Sequence, residues 1–434
     1  MTSGQFCGAR TYLRVVLGAF VTCFSCPVLA NNGLNLIGVG VESTAMGGAD
    51  VAVSRDTTAV SVNPAGLSRI DKAELDLYSA VAYAIDVAHA DALGNDNQVS
   101  NSIIPLGGLG IARRSGASKF TYGFGFFGQG GAGNVYKDLN TEFGTIDELS
   151  SQFGFGKISL GASYEATDRL SVGGAAYAAV GILKQKVFPQ TSFFNASDPS
   201  HSFFGYTIDN AHAENFGIKV GVQYDAASSV RIGATYSPEV RLPFEDGILR
   251  ANFSAIGLGT VTYRQVRLDG LALPQEIAFG VAWRAKPTTL LSIEVSWLNW
   301  ARALRSQTLV ATDPDSAGAP AELRSSGNLN WKNQTVVAIG IAHDLNERAT
   351  LYGGFNYGRN PAPAQTLTPV LAPIGQRHLT GGGAWKLNDR WRASAAVEYL
   401  FPESVIYANP EIPVPSSAER LEYVAFHFLL SRRW

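Results

Sequence analysis

Residues able to do chemistry are few in this chain and widely spaced. Six histidines stand at His89, His201, His212, His343, His378 and His427. None sits in the H-E-x-x-H spacing that puts two imidazoles and a base on one helix face. No G-x-S-x-G turn is present to expose a nucleophilic serine. All three cysteines, Cys7, Cys23 and Cys26, fall within the first thirty residues, so the rest of the chain has no thiolate for a metal, a nucleophile or a disulfide. Gly123–Gly128 matches G-x-G-x-x-G, but Gly130, Gly131 and Gly133 follow where a dinucleotide site needs a helix. His201-Ser202 is the pair an esterase would have to use, and it lies in a polar stretch where solvated residues are the ordinary reading. No catalytic residue, metal ligand or cofactor is expected.

The remaining chemistry is electrostatic. Alternation along the sequence puts Lys219, Arg231 and Arg392 on the same face type as Glu276, Glu294 and Glu398. A ligand carboxylate would want such a cation. Pairing with the neighbouring acids is the commoner fate, because uncompensated charge in a confined site is costly. No one of them stands out.

These side chains must be held by strands. Charged residues make up 16% of the 434 residues, aromatics 11%, and glycine numbers 46. Mean hydropathy is nonetheless close to zero, at +0.05. Few charges with little net hydrophobicity means fine alternation of apolar and polar residues, the composition of a transmembrane barrel. Phe216, Ile218, Val220, Val222 and Tyr224 alternate with Asn215, Gly217, Lys219, Gly221 and Gln223. Leu291, Ile293, Val295 and Trp297 alternate with Ser292, Glu294 and Ser296. Short polar turns are expected at Arg113–Ser118, Ala166–Arg169, Asp225–Ser229, Arg284–Thr289, Asp344–Arg348 and Lys386–Arg390. Between them lie longer connections near 88–102, 128–152, 187–213, 240–275, 302–333, 358–377 and 402–420. Thirteen connections join fourteen strands, and an even number with short turns at one end is the outer-membrane arrangement. Tyr164, Tyr224, Trp283, Tyr352, Trp385 and Trp391 crowd the short turns, as an interfacial girdle should. The net charge of −2 and the lack of a basic tract exclude a nucleic-acid partner.

Residues 1–30 read as a removable secretory signal: Arg10 and Arg14, then an apolar core from Val15 to Cys26, then Val28-Leu29-Ala30. A segment without strand or helix period follows, 31–72, and then the strands, 73–434. Within that segment, Ala45-Met46-Gly47-Gly48-Ala49, Asp56 and Asn63-Pro64-Ala65-Gly66-Leu67 closely resemble the hatch of the FadL/TodX family of outer-membrane transporters for long-chain fatty acids and aromatic hydrocarbons. The resemblance extends over the chain. Leu273-Pro274-Gln275-Glu276 and Trp297–Trp300 look like the family's middle region, and the final strand ends on Trp434 like a bacterial barrel signal.

The resemblance implies an all-β, fourteen-stranded antiparallel outer-membrane barrel with the hatch inside its lumen. It implies a monomer in the outer membrane of a Gram-negative bacterium, embedded in lipid and lipopolysaccharide. It also implies passive uptake of a hydrophobic small molecule through external capture, luminal binding, hatch gating and lateral exit. Gly47, Gly48, Asn63, Pro64, Ala65 and Gly66 are the expected gating residues. Phe188, Phe193, Phe194, Phe203 and Phe204 are the expected external binding surface, as clustered exposed aromatics mark one. Gly123, Gly125 and Gly128 are the expected kink in the third strand, where glycine permits a bend. The alternatives are a structural or adhesive barrel with a static plug, and an outer-membrane lipid esterase.

Overall fold

The computed structural model describes residues 32–410, 412 and 416–434; the signal expected at 1–30 lies outside them. Fourteen strands form the wall. They are β1 Ala73–Asp91, β2 Ile103–Arg114, β3 Phe120–Asn140, β4 Ile146–Glu165, β5 Leu170–Phe193, β6 Phe203–Ala227 and β7 Val230–Ser237. They continue as β8 Glu276–Lys286, β9 Thr289–Leu298, β10 Gln334–Asp344, β11 Ala349–Gly358, β12 Arg377–Lys386, β13 Trp391–Ala408 and β14 Ser416–Arg433. Each pairs antiparallel with the next, and β14 returns to β1 from Glu74↔Arg433 to Asp91↔Ser417, closing the ring. Closure into a ring pairs the backbone groups of neighbouring strands, which is what lets strands cross lipid.

The alternation predicted from sequence sets the two faces. Leu77, Val81, Tyr83 and Ile85 on β1, Ile277, Phe279 and Trp283 on β8, and Phe426, Phe428 and Leu430 on β14 all face outward and are exposed. An apolar belt of this extent on every side has no use in water. No helix among the described residues is long and apolar enough to cross a membrane. Tyr164, Tyr224, Trp283 and Trp385 are outward at the short-turn end. Tyr352 is not: it is 6% exposed and faces the lumen, where Arg392 donates to its hydroxyl. Its neighbour Leu351 takes the outward place.

The six short turns lie where expected. The opposite end differs from expectation, because most of the long connections are themselves strand. β3, β4, β5 and β6 run 21, 20, 24 and 25 residues, against about 9–11 needed to span a bilayer. They therefore project well beyond it. The 240–275 connection is a hairpin, Phe244–Phe253 with Gly259–Asp269, whose first arm pairs with β6. Its second arm pairs with Ser306–Pro314 from the next long connection. Strands continue outside the membrane because their edges satisfy one another's backbone groups.

Candidate functional site

Residues 32–72 have no ladder in the wall. They fold into a short helix, Val41–Ala45, and two 3-10 turns, Thr57–Val60 and Pro64–Arg69. Their polar contacts reach strands spread around the whole ring. Glu294 on β9 accepts from the Asp50 and Val51 amides at 2.9 and 2.8 Å. Asp76 on β1 accepts from the Thr57 amide and hydroxyl at 3.1 and 2.6 Å. Asn356 on β11 donates to the Gly47 carbonyl and Thr380 on β12 to the Ala45 carbonyl, both at 2.9 Å. Ser68 donates to Ser171 on β5 at 2.8 Å, and Arg69 to Asp225 on β6 at 2.9 Å. Contacts to inward faces on all sides put the segment in the lumen. Val41, Met46, Val53, Val60 and Leu67 bury their side chains there against Tyr78, Leu106, Phe127 and Leu429 of the wall.

The expected gating residues divide between two parts of this packing, Gly47 and Gly48 against β11 and Asn63, Pro64 and Ala65 against β5 and β6, with Gly66 closed on Ser54. Asn63 is fully buried and caps the second 3-10 turn, its Oδ1 accepting from the Ala65 amide at 3.2 Å. Its Nδ2 donates to the Val51 carbonyl at 2.7 Å and to the Val222 carbonyl of β6 at 3.1 Å. Pro64 follows at the first position of the turn, where its missing N–H costs nothing. The wall makes room for Asn63 with Gly221, where a Cβ would lie 2.0 Å from the Asn63 Oδ1. Gly48 has φ +81° and would place a Cβ 2.0 Å from the Ile37 carbonyl oxygen, so conformation and space both demand glycine. Burial pushes the Asp50 carboxyl up to about 7, against the hydrogen bond it accepts from Ser43. Burial and then the neighbouring Asp76 push Asp56 up to about 6.

Outward of this segment lies a cavity of about 580 Å³. Leu34 forms part of its floor, with Leu139, Phe153, Leu183, Phe188 and Leu268 among its walls. The five phenylalanines expected as an external surface divide between three environments. Phe188 is 6% exposed and lines the cavity together with Phe203. Phe204 packs on Phe253, ring centroids 4.8 Å apart. Only Phe193 and Phe194 stand exposed, at 41% and 43%. The inward turn of Phe188 has a local cause. Between Val187 and Ser192 the β5–β6 register shifts, and Phe188 takes φ +43°, which turns it inward. Asp147 holds that bulge, accepting from the Gln190 amide at 2.8 Å and the Thr191 hydroxyl at 2.9 Å.

Beside the cavity floor the wall is interrupted. The β1–β2 ladder runs on to Tyr83↔Ile103, whereas the β2–β3 ladder stops at Gly108↔Phe127. Ile103–Gly107 therefore have no ladder to β3. Past Phe127, β3 bends inward: the alternation fails, and residues 125–131 are all buried. Its backbone bonds instead to the start of the luminal segment, the Leu36 amide to the Gln129 carbonyl and the Gly131 amide to the Leu34 carbonyl, both at 3.0 Å. The β3–β4 register shifts between Gly128 and Gly130. Above the interruption the wall closes again where the Ser100 amide donates to the Val135 carbonyl at 2.8 Å. Gly128 thus lies at the bend. Gly123 and Gly125 precede it in regular ladder, making room for Leu67 and Val60 of the luminal segment. Phe126 shares the outward parity of exposed Phe120 and Tyr122 but is 9% exposed because the bend has begun.

The luminal charges mostly pair. Lys219 meets Glu276 at 3.1 Å, Arg231 meets Asp225 at 2.7 Å, and Arg392 lies 3.7 Å from Glu42. Glu398 accepts from Tyr423 at 2.6 Å, with His427 3.3 Å away. Lys157 on β4 was not singled out from sequence. It lines a small polar cavity of about 110 Å³ and sits 4.7 Å over the Tyr177 ring. Its place on the face of Ser159, Gly161 and Ser163 was the signal available.

Two kinds of comparison agree with this architecture. The sequence profile of the family described as Outer membrane protein transport protein (OMPP1/FadL/TodX) matches residues 30–424. Among solved structures, the P. putida toluene transporter TodX superposes with TM-score 0.76 at 18% identity, covering 92% of this chain and 99% of that one. The Ralstonia pickettii toluene transporter TbuX gives 0.71 at 19% identity, with 92% and 99% covered. A Pseudomonas aeruginosa FadL homologue gives 0.71 at 14%, with 93% and 99% covered. A search of curated proteins by sequence gives no match. At such identities the structures speak for the fold alone, whereas the profile spans nearly the whole chain: this protein belongs to the OMPP1/FadL/TodX family of outer-membrane transport proteins.

Proposed function

We propose that this chain carries hydrophobic small molecules, long-chain fatty acids or aromatic hydrocarbons in the broad sense, passively across the outer membrane. The observation that carries the reading is the adjacency of the apolar cavity and the interrupted wall, with Leu34 touching one and hydrogen-bonded to the strand that bounds the other. The similar toluene transporters TodX and TbuX support the same class of cargo.

A solute captured near exposed Phe193 and Phe194 enters the cavity and displaces the residues around Leu34. It then leaves sideways between β2 and β3 into lipid, so an apolar molecule never has to cross the polar periplasmic mouth. Lipopolysaccharide makes the outer leaflet a poor direct route for such a solute, which is why a protein path has value. Asn63–Gly66 and Gly47–Gly48 anchor the luminal segment while its first residues move, and the barrel acts as a monomer. The test is uptake of labelled toluene and labelled oleate by intact cells with and without the protein. Saturable, protein-dependent entry of at least one is expected. Equal entry with a correctly assembled barrel would overturn the reading.

A further inference from the structure

We propose that the cavity selects uncharged hydrophobes over carboxylates, and that its neutral polar lining, rather than the saturated His89–Asp91 group, is what a ligand hydroxyl would meet. This rests on the uptake reading above and narrows its cargo. Among the described residues the cavity lining contains no lysine or arginine; its titratable members are His89, Asp91 and the phenol of Tyr206. His89 is held at both nitrogens, Nδ1 2.6 Å from Glu419 and Nε2 3.2 Å from Asp91. Carboxylates only accept, so both nitrogens donate and the ring is an imidazolium. One cation between two anions leaves this buried group with a net negative charge.

The donors around it are already committed. Tyr136 and Tyr407 donate to Glu419 at 3.3 and 3.0 Å, and Asn95 to Asp91 at 2.8 Å. The other polar lining side chains, such as Ser151, Gln185, Gln307 and Asn328, are neutral. A carboxylate entering here would give up its hydration, find no counter-ion and face Asp91. Burying an unpaired charge is the costliest change such a site can ask for. A hydroxyl or a plain hydrocarbon meets no such penalty.

Size agrees with a ligand larger than one aromatic ring. An engineered cavity of about 150 Å³ is enough for benzene, and this one is about 580 Å³. The competing cations, Lys157 and Lys219, line the separate cavity of about 110 Å³ beyond Asn32–Leu36. Lys219 there is already paired with Glu276.

The experiment is calorimetric titration of the full barrel in nanodiscs with 1-dodecanol and with dodecanoate at pH 8, against empty nanodiscs. Dodecanol is expected to bind about tenfold tighter or more. Asp91→Asn should narrow that ratio. Ser151→Lys, which adds a cation to the lining and leaves the buried His89 group intact, should raise dodecanoate affinity. Equal or tighter dodecanoate binding by the unaltered protein would overturn the proposal, and its loss in Lys157→Met would place the carboxylate in the smaller cavity. Binding of neither probe by a closed barrel would overturn the uptake reading itself.

Discussion

Asn63→Ala should loosen the luminal segment without opening the barrel. The substitution removes two donated hydrogen bonds, to the Val51 and Val222 carbonyls, and the acceptor of the Ala65 amide. Val51 keeps a weaker donor in Gln223, at 3.3 Å. The Ala65 amide keeps none of its side-chain cap, in a residue with no exposure. Two net hydrogen bonds at about 1 kcal/mol each, plus about 1–3 kcal/mol for an orphaned buried donor, give a cost near 3–5 kcal/mol. That is a shift of roughly a hundredfold or more in the docked-to-undocked ratio. Hydrogen exchange of peptides covering 41–70 should accelerate by about that factor, while wall peptides and heat-modifiable mobility stay unchanged. Asn63→Asp should be at least as severe, since it keeps the cap but turns a donor into an anion facing two carbonyls. Unchanged exchange in 41–70 for both variants would refute the claim that Asn63 anchors the segment.

Gly221→Ala should reproduce the Asn63 effect from the wall side, because its Cβ would meet the Asn63 Oδ1 at 2.0 Å; exchange of 41–70 is again the readout. Gly130→Ala puts a Cβ 1.9 Å from the Leu34 carbonyl oxygen, so it should speed exchange at 32–38 and alter uptake, leaving 50–70 protected. Docking should also depend on pH. Asp50 is raised from 3.8 to about 7 in the folded chain, so the docked state holds the extra proton. Its contribution is fully present below about 4, is lost as pH rises toward about 7 and is flat above. Exchange of 41–70, corrected for intrinsic rates, should therefore be roughly tenfold faster or more at pH 8 than at pH 5, and Asp50→Asn should reduce the difference to the share carried by Asp56.

The wall was legible because its signals are local. Alternation names the two faces, and Asp, Asn and Pro in turns such as Asp344–Arg348 mark the short-turn end. The outer half was misread as loops because strand pairing there is long-range. Glu245 finds His212, and Tyr263 finds Pro314, across separate connections. The inward turn of Phe188 depends on Asp147, which is remote in sequence, so an aromatic cluster read as a surface became partly the wall of a cavity. Tyr352 was assigned by proximity to a turn when its parity in the strand already pointed inward. The luminal segment was legible from composition because packing irregular backbone against a wall demands glycine at fixed places, and Gly48 and Gly66 meet that demand. The cavity itself was not legible, since its lining comes from widely separated stretches of the chain.

In the proposed route, solutes leave sideways where β3 parts from β2. Deleting Gln129 removes the extra residue between Gly128 and Gly130, which should let β3 continue straight alongside β2 and close the interruption. Uptake of labelled substrate by intact cells carrying this deletion, with barrel assembly checked by heat-modifiable mobility, is the most direct measurement. Entry falling to the level of cells without the protein is the predicted result. Undiminished entry through an assembled barrel would contradict lateral exit and direct attention to the periplasmic mouth.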